Sequence, residues 1–138
     1  LVAHDLAQKL MRVDKECHLY DDWHDQLLCA KNMHEGDMAI AFSYSGLTQE
    51  VLGCAAEAQR HNCPVVAVTK VDGSSKLATM ADAVLGVAAS EPLVRSGAMA
   101  SRMAQLMVVD ALYAAYVASD YERATHVIKQ NYIEKQER

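Results

Sequence analysis

Two short apolar runs constrain the fold of this chain more than any other feature: Met38-Ala39-Ile40-Ala41-Phe42 and Val65-Val66-Ala67-Val68-Thr69. A strand that is apolar at successive positions must be covered on both faces, the situation of a parallel strand in an α/β protein. Between the runs lies a helical pattern from about Thr48 to His61, which ends before Pro64 because proline cannot continue it. The alternation continues on either side. Glu16 to Tyr20 reads as a short strand, and Asp21-Asp22 as an N-cap pair for a helix over Trp23 to Met33. Gly36-Asp37 ends that helix. After the second run, Asp72-Gly73-Ser74-Ser75 leads into a short helix around Lys76 to Met80, and Ala83 to Val87 reads as another strand. The chain then turns helical, from Gly97 to Ala118 and from Tyr121 to Gln130 or beyond. Strand and helix in alternation predict a parallel sheet with helices on both faces and ligand-binding loops at the carboxyl rim of the strands.

At the other end, Leu1 to Met11 already looks helical, with Val2, Leu6 and Leu10 on one face. An α/β chain normally reaches such a helix from a strand, so a strand is expected upstream of Leu1. The 138 residues suffice for one domain with a real core. No run has the length and apolarity of a membrane span, and no signal-peptide pattern opens the chain. The net charge of −5 argues against this segment gripping nucleic acid itself. Cys17, Cys29, Cys54 and Cys63 form no Cys-x-x-Cys pair. They are expected in helix or strand contexts as small buried hydrophobes, in a reducing, cytoplasmic setting.

The chemistry concentrates in Phe42-Ser43-Tyr44-Ser45-Gly46-Leu47-Thr48-Gln49-Glu50. Three hydroxyls and a glycine occupy a strand-to-helix turn, where free backbone amides and the positive end of a helix dipole can hold an anion. Ser43, Ser45 and Thr48 are small donors, and Gly46 permits a backbone conformation that a side chain resists. The plainer alternative is an ordinary turn with Thr48 as its N-cap. The loop from Lys70 to Ser75 follows the next strand and shares the same rim, so two hydroxyl-bearing loops converge there. There is no Gly-x-x-x-x-Gly-Lys-Ser/Thr and no Gly-x-Gly-x-x-Gly, so neither a nucleotide loop nor a dinucleotide cofactor is expected.

His24, in Asp21-Asp22-Trp23-His24-Asp25-Gln26, is either a contact or base for a sugar hydroxyl or a surface histidine among acidic neighbours. Glu50 is either an acid/base group or a first-turn glutamate favoured by the helix dipole. The other histidines are scattered without the spacing of a zinc site. In Glu91 to Ala98, Arg95 is a candidate ligand or interface contact. The helix beyond carries Met99, Met103, Leu106, Met107, Val109 and Leu112, apolar around most of its circumference, so it packs in a core or a subunit interface. Arg102, Gln105 and Asp110 interrupt it as candidate polar interface contacts.

Ser43-Tyr44-Ser45-Gly46-Leu47-Thr48-Gln49-Glu50 resembles the phosphate-binding signature of sugar isomerase (SIS) domains. Leu1 to Arg12, Asp21 to Gln26, Arg95 to Ala98 and Ser101 to Leu106 are similar to the sensor half of RpiR/MurR-type bacterial transcription regulators. The resemblance covers nearly the whole chain, 1–138, as one phosphosugar-binding domain. It implies a three-layer αβα sandwich on a flavodoxin-like, five-stranded parallel sheet, as a homodimer or tetramer with the sugar phosphate near the subunit interface. Carried over, Ser43, Ser45 and Thr48 hold the phosphate with Gly46 shaping the turn, His24 lies near the sugar, and Glu50 reaches a sugar hydroxyl. The family's first strand, with its own phosphate-contacting serine, and its helix-turn-helix domain fall outside this sequence.

The leading reading is therefore a non-catalytic, cytoplasmic effector-sensing domain for a phosphorylated sugar, such as an amino-sugar phosphate. It touches DNA through a domain outside this chain and involves no membrane and no metal. The rival is an aldose–ketose sugar-phosphate isomerase with Glu50 or His24 as base. A purely structural dimerisation module leaves the hydroxyl-rich turn without a purpose.

Overall fold

The computed structural model describes residues 1–88 and 99–133. Its elements run α1 (Val2–Met11), α2 (Trp23–Lys31), β1 (Ala39–Phe42), α3 (Gln49–Arg60), β2 (Val65–Lys70), α4 (Lys76–Met80), β3 (Ala83–Val87), α5 (Met99–Ser119) and α6 (Tyr121–Gln130). The three strands form one parallel sheet in the order β1-β2-β3. Ala39 pairs with Val65 and Phe42 with Val68, while Val66 pairs with Ala83 and Lys70 with Val87. Asp82 fixes the start of β2: its carboxylate accepts from the Val65 amide at 2.8 Å, and its own amide donates to the Val65 carbonyl at 2.9 Å.

The two faces of the sheet follow from the two-residue period of a strand. Ala39 and Ala41 of β1 turn toward a core built on α3 and α4, where Ala55, Ala58, Cys63, Val65, Ala67 and Leu77 are buried. Ile40 and Phe42 turn the other way, against Val2, Leu6 and Val109 of α1 and α5. The expected apolar face of α1, Val2-Leu6-Leu10, is the face that packs here. Helices thus cover both faces in an αβα arrangement, with α2 against α3 and α6 against α5.

Local signals explain the helix ends. The Asp22 side chain caps α2 by accepting from the His24 amide at 2.8 Å, and Ser75 caps α4 by accepting from the Ala78 amide at 3.0 Å. At the end of α3, Asn62 takes a positive φ of 58° and the chain turns into Pro64. Asp110, a candidate interface contact, pairs within the chain with Lys9 of α1 at 2.9 Å, and Lys9 also contacts Asp5. Those two carboxylates raise the Lys9 pKa above its ordinary value.

Two expectations need correction. Glu16 to Tyr20 is not a strand: it is irregular and mostly exposed. A strand needs a neighbour to take its amides and carbonyls, and the β1–β2–β3 sheet does not include this segment. Among the described residues the parallel sheet accordingly has three strands. Cys17 sits exposed in that irregular segment rather than buried in an element, whereas Cys63 is buried and donates its thiol to the His34 carbonyl at 3.1 Å. Burial pushes the Cys29, Cys54 and Cys63 thiols up from their ordinary value. Arg95 and the Glu91–Ala98 stretch lie outside the described residues, as does the expected start of α5 at Gly97.

Candidate functional site

The carboxyl end of β1 leads directly into the hydroxyl-rich turn, and the structure brings Ser43, Ser45, Gly46 and Thr48 together there. The Ser43 amide still belongs to the sheet, donating to the Val68 carbonyl at 3.2 Å. Its buried hydroxyl accepts from the Gly46 amide at 3.1 Å and shares a 2.9 Å hydrogen bond with the Thr48 hydroxyl. Ser45 folds the outer edge of the turn by accepting from the Leu47 amide at 3.3 Å. Thr48 occupies the N-cap position of α3 as the plain capped-turn reading expects, but it makes no side-chain cap bond. Its hydroxyl is turned to Ser43 instead. The first amides of α3 therefore point out of the helix end without a side-chain acceptor, the arrangement that attracts an anion.

Gly46 is the pivot. Its φ of +66° is a left-handed conformation that L side chains rarely adopt. A Cβ there would lie 1.8 Å from the Ser75 hydroxyl oxygen and 2.9 Å from that of Thr69. The loop after β2 is thus pressed onto the loop after β1, as expected for two loops on one rim. The Lys70 amide donates to the Tyr44 carbonyl at 3.1 Å, and the Leu77 amide to the Gly46 carbonyl at 3.0 Å. Beside them, the Lys70 ammonium pairs with Asp72 at 2.7 Å, and Asp72 accepts from the Ser74 amide and hydroxyl. These donors, Lys70 foremost, hold the Asp72 carboxyl far below the usual carboxylate range.

Glu50 stands exposed in the first turn of α3, one residue into the helix from the turn. His24 is on a different element. It is the second residue of α2, exposed, with its ring against Trp23 at a centroid distance of 4.8 Å. It makes no hydrogen bond to the turn hydroxyls. The neighbouring Asp21 is held by His4 of α1 at 2.8 Å, a contact that lowers the Asp21 pKa. On the α1/α5 side of β1, an open cleft of about 340 Å³ is lined by Phe42, Tyr44, Ser101, Arg102, Gln105 and the start of α1. Arg102 and Gln105, the candidate polar interface contacts, line this cleft. Among the described residues no three His, Cys, Asp or Glu side chains gather as a metal site, and no helix is long and apolar enough to cross a membrane.

Sequence reasoning placed the Lys70–Ser75 loop on this rim but singled out neither Thr69 nor Ser75. Both are buried polar residues directly behind Gly46. The signal was available in part: a hydroxyl ends the apolar run Val65 to Thr69, and Ser75 precedes a short helix. The contact between the two is a property of the folded loops.

Comparison with known proteins gives the context for this geometry. The chain is 40% identical over 121 residues to an uncharacterized HTH-type transcriptional regulator of Caldanaerobacter subterraneus; the match covers 88% of this chain and 43% of the relative. The chain therefore spans less than half the length of that regulator. Its structure is similar to that of the Vibrio vulnificus NanR protein complexed with ManNAc-6P, with a TM-score of 0.85 and 30% identity over 94% of this chain and 49% of NanR. It is also similar to the sugar isomerase domain of an RpiR transcription factor from Sphaerobacter thermophilus, with a TM-score of 0.79 and 25% identity over 94% of this chain and 70% of that one. The family model of the SIS domain matches residues 1–115. With its parallel sheet between helical layers and its Ser43–Thr48 turn at the strand rim, the chain belongs to the SIS domain family.

Proposed function

We propose that this chain is the effector-sensing domain of a transcriptional regulator and binds a phosphorylated sugar at the Ser43–Thr48 turn. The observation that carries the reading is the end of α3: its first amides lack a side-chain cap because the Thr48 hydroxyl is bonded to Ser43. A phosphate supplies the missing acceptor, and the helix dipole favours its charge. Ser45 and Thr48 offer their hydroxyls to the phosphate from the accessible side, while buried Ser43 holds the turn in shape. Glu50 lies within the first helical turn for a sugar hydroxyl, and His24 contributes from α2 if the ligand extends that far. An amino-sugar phosphate is the first candidate, because NanR, a similar structure, is complexed with ManNAc-6P.

The protein senses without turnover, and binding shifts a population between two arrangements of a homo-oligomer that differ in affinity for an operator. DNA is contacted by a separate helix-turn-helix domain, a reading supported by the HTH-type relative and by the chain's net charge of −5. Such a protein works in the cytoplasm, where the operator is. The exposed Met99, Met103 and Met107 of α5 are where a second copy packs.

The test is a thermal-shift and calorimetry panel of hexose, pentose and amino-sugar phosphates, with the unphosphorylated sugars as controls. One sugar phosphate raises the melting temperature as its concentration passes its dissociation constant, and it is recovered unchanged. Recovery of an isomer would replace the sensor with an enzyme. Equal stabilisation by the unphosphorylated sugar would remove the phosphate from the turn.

A further inference from the structure

We propose that Thr69 and Ser75 are positioning residues that set the shape of the anion-binding turn from behind; the inference rests on the phosphate reading of Ser43–Thr48. Both are buried, with exposures of 0% and 3%, among apolar neighbours such as Ala67, Val68 and Leu77. A hydroxyl in such a place is costly unless its hydrogen bonds are made. Here they are made, and in one direction. The Ala78 amide donates to the Ser75 hydroxyl at 3.0 Å. Ser75 and Thr69 share a hydrogen bond at 2.9 Å, and Thr69 donates to the Tyr44 carbonyl at 3.3 Å. Because the Thr69 proton is directed to Tyr44, Ser75 is the donor between the two hydroxyls. The chain of bonds thus runs from the first turn of α4 into the peptide that precedes Ser45, each bond polarising the next.

Two further contacts act on the same turn. The Leu77 amide of α4 donates to the Gly46 carbonyl, and the Lys70 amide to the Tyr44 carbonyl. The Ser75 hydroxyl also occupies the place where a Cβ of residue 46 would be. The left-handed peptide at Gly46 is therefore moulded against Ser75, and the direction of the amides after it depends on that contact. Neither Thr69 nor Ser75 is accessible to a ligand, so their effect on binding passes through the backbone of the turn.

The experiment compares Thr69→Val with Thr69→Ser. The valine is nearly isosteric and removes the hydroxyl, and the serine keeps it. Inorganic phosphate and ManNAc-6P are titrated by calorimetry on the full chain, below the melting temperature of each variant. Thr69→Val weakens both about tenfold, and Thr69→Ser restores affinity to within about twofold of the starting protein. Val109→Ala, which opens the core on the opposite face, is the stability control and leaves affinity unchanged. A loss for Thr69→Val no larger than for Val109→Ala, or no rescue by Thr69→Ser, overturns the proposal. Hydrogen exchange of the Gly46 amide is followed in parallel without ligand. Faster exchange in Thr69→Val, but not in Val109→Ala, supports the clamp even if neither probe binds the starting protein, a result that would instead sink the phosphate reading. Unchanged exchange at Gly46 overturns the clamp whatever the probes do.

Discussion

The two faces of the sheet are finished to different degrees. On the α3/α4 face the contact residues are fully enclosed and mostly small: Ala55, Ala58 and Ala67, with the larger Leu77, are at most 1% exposed. Small side chains bring α3 close to the strands, which places its first turn directly over the hydroxyl loop. On the α1/α5 face the side chains are larger and the enclosure partial. Val109 is buried, but Met99, Met103 and Met107 of the same helix are 71%, 64% and 71% exposed. Residues spaced by four share one side of a helix, so these methionines form a stripe turned away from the sheet. The face behind the hydroxyl turn is enclosed among the described residues, whereas the opposite helix presents an apolar stripe that water covers poorly. Under the proposed function, ligand geometry and subunit contact would fall on the two sides of the sheet.

The comparison is broken most severely at Gly46. Gly46→Ala forces a Cβ into the Ser75 hydroxyl and places alanine at a positive φ. It is expected to cost about 3 kcal/mol and to abolish the sugar-phosphate thermal shift. Denaturant titration with and without ligand checks both, and a variant of unchanged stability would mean that the turn is not pressed onto α4. Ser43→Ala is milder. It removes the hydroxyl that accepts from Gly46 and bonds Thr48, costs about 1 kcal/mol, and frees the Thr48 hydroxyl to cap α3 in competition with the ligand. Phosphate affinity measured by calorimetry falls; a rise would reverse the roles given to the two hydroxyls.

On the other face, Met103→Glu changes the stability of the single chain by no more than about 0.5 kcal/mol, as expected for an exposed position. It nevertheless lowers the mass of the assembly seen in sedimentation. An unaltered mass would put the subunit contact away from the methionine stripe. The smallest effect belongs to Asp72. Its folded-state pKa is depressed by Lys70 and Ser74, so its contribution is present above the ordinary carboxylate range and is lost as the pH falls below about 4. In Asp72→Asn the acid limb of the stability profile flattens slightly, while stability is hardly altered when both proteins are compared under strongly acidic conditions. A parallel profile for the two proteins would show that the Lys70–Asp72 pair contributes nothing in solution.

Much of this was legible in the sequence, because the relevant signals are local. The runs at Met38–Phe42 and Val65–Thr69 give the strands Ala39–Phe42 and Val65–Lys70, Asp22 caps the helix after it, and the glycine of the turn needs the positive φ that its place between strand and helix suggests. Glu16 to Tyr20 misled for a physical reason. A strand is defined by its neighbour, and no property of those five residues reports whether one is present. Likewise, the breadth of the apolar surface of α5 was legible, but not which of its residues reach the core. Val109 and Met107 look equally apolar in sequence, and only the packing of α1 separates them. The Thr69–Ser75 contact was hidden because it joins two loops whose approach is decided by the whole sheet.

That dependence on the whole sheet sets the order of events during folding. Thr69 and Tyr44 meet across 25 positions of sequence, and such non-local contacts form late because the intervening chain must first be ordered. A growing polypeptide therefore displays Ser43 to Thr48 well before it holds the parts that give them shape. An effector that needs the finished turn has nothing to grip during that interval. Under the proposed function, its binding would slow the loss of completed molecules rather than hasten their formation.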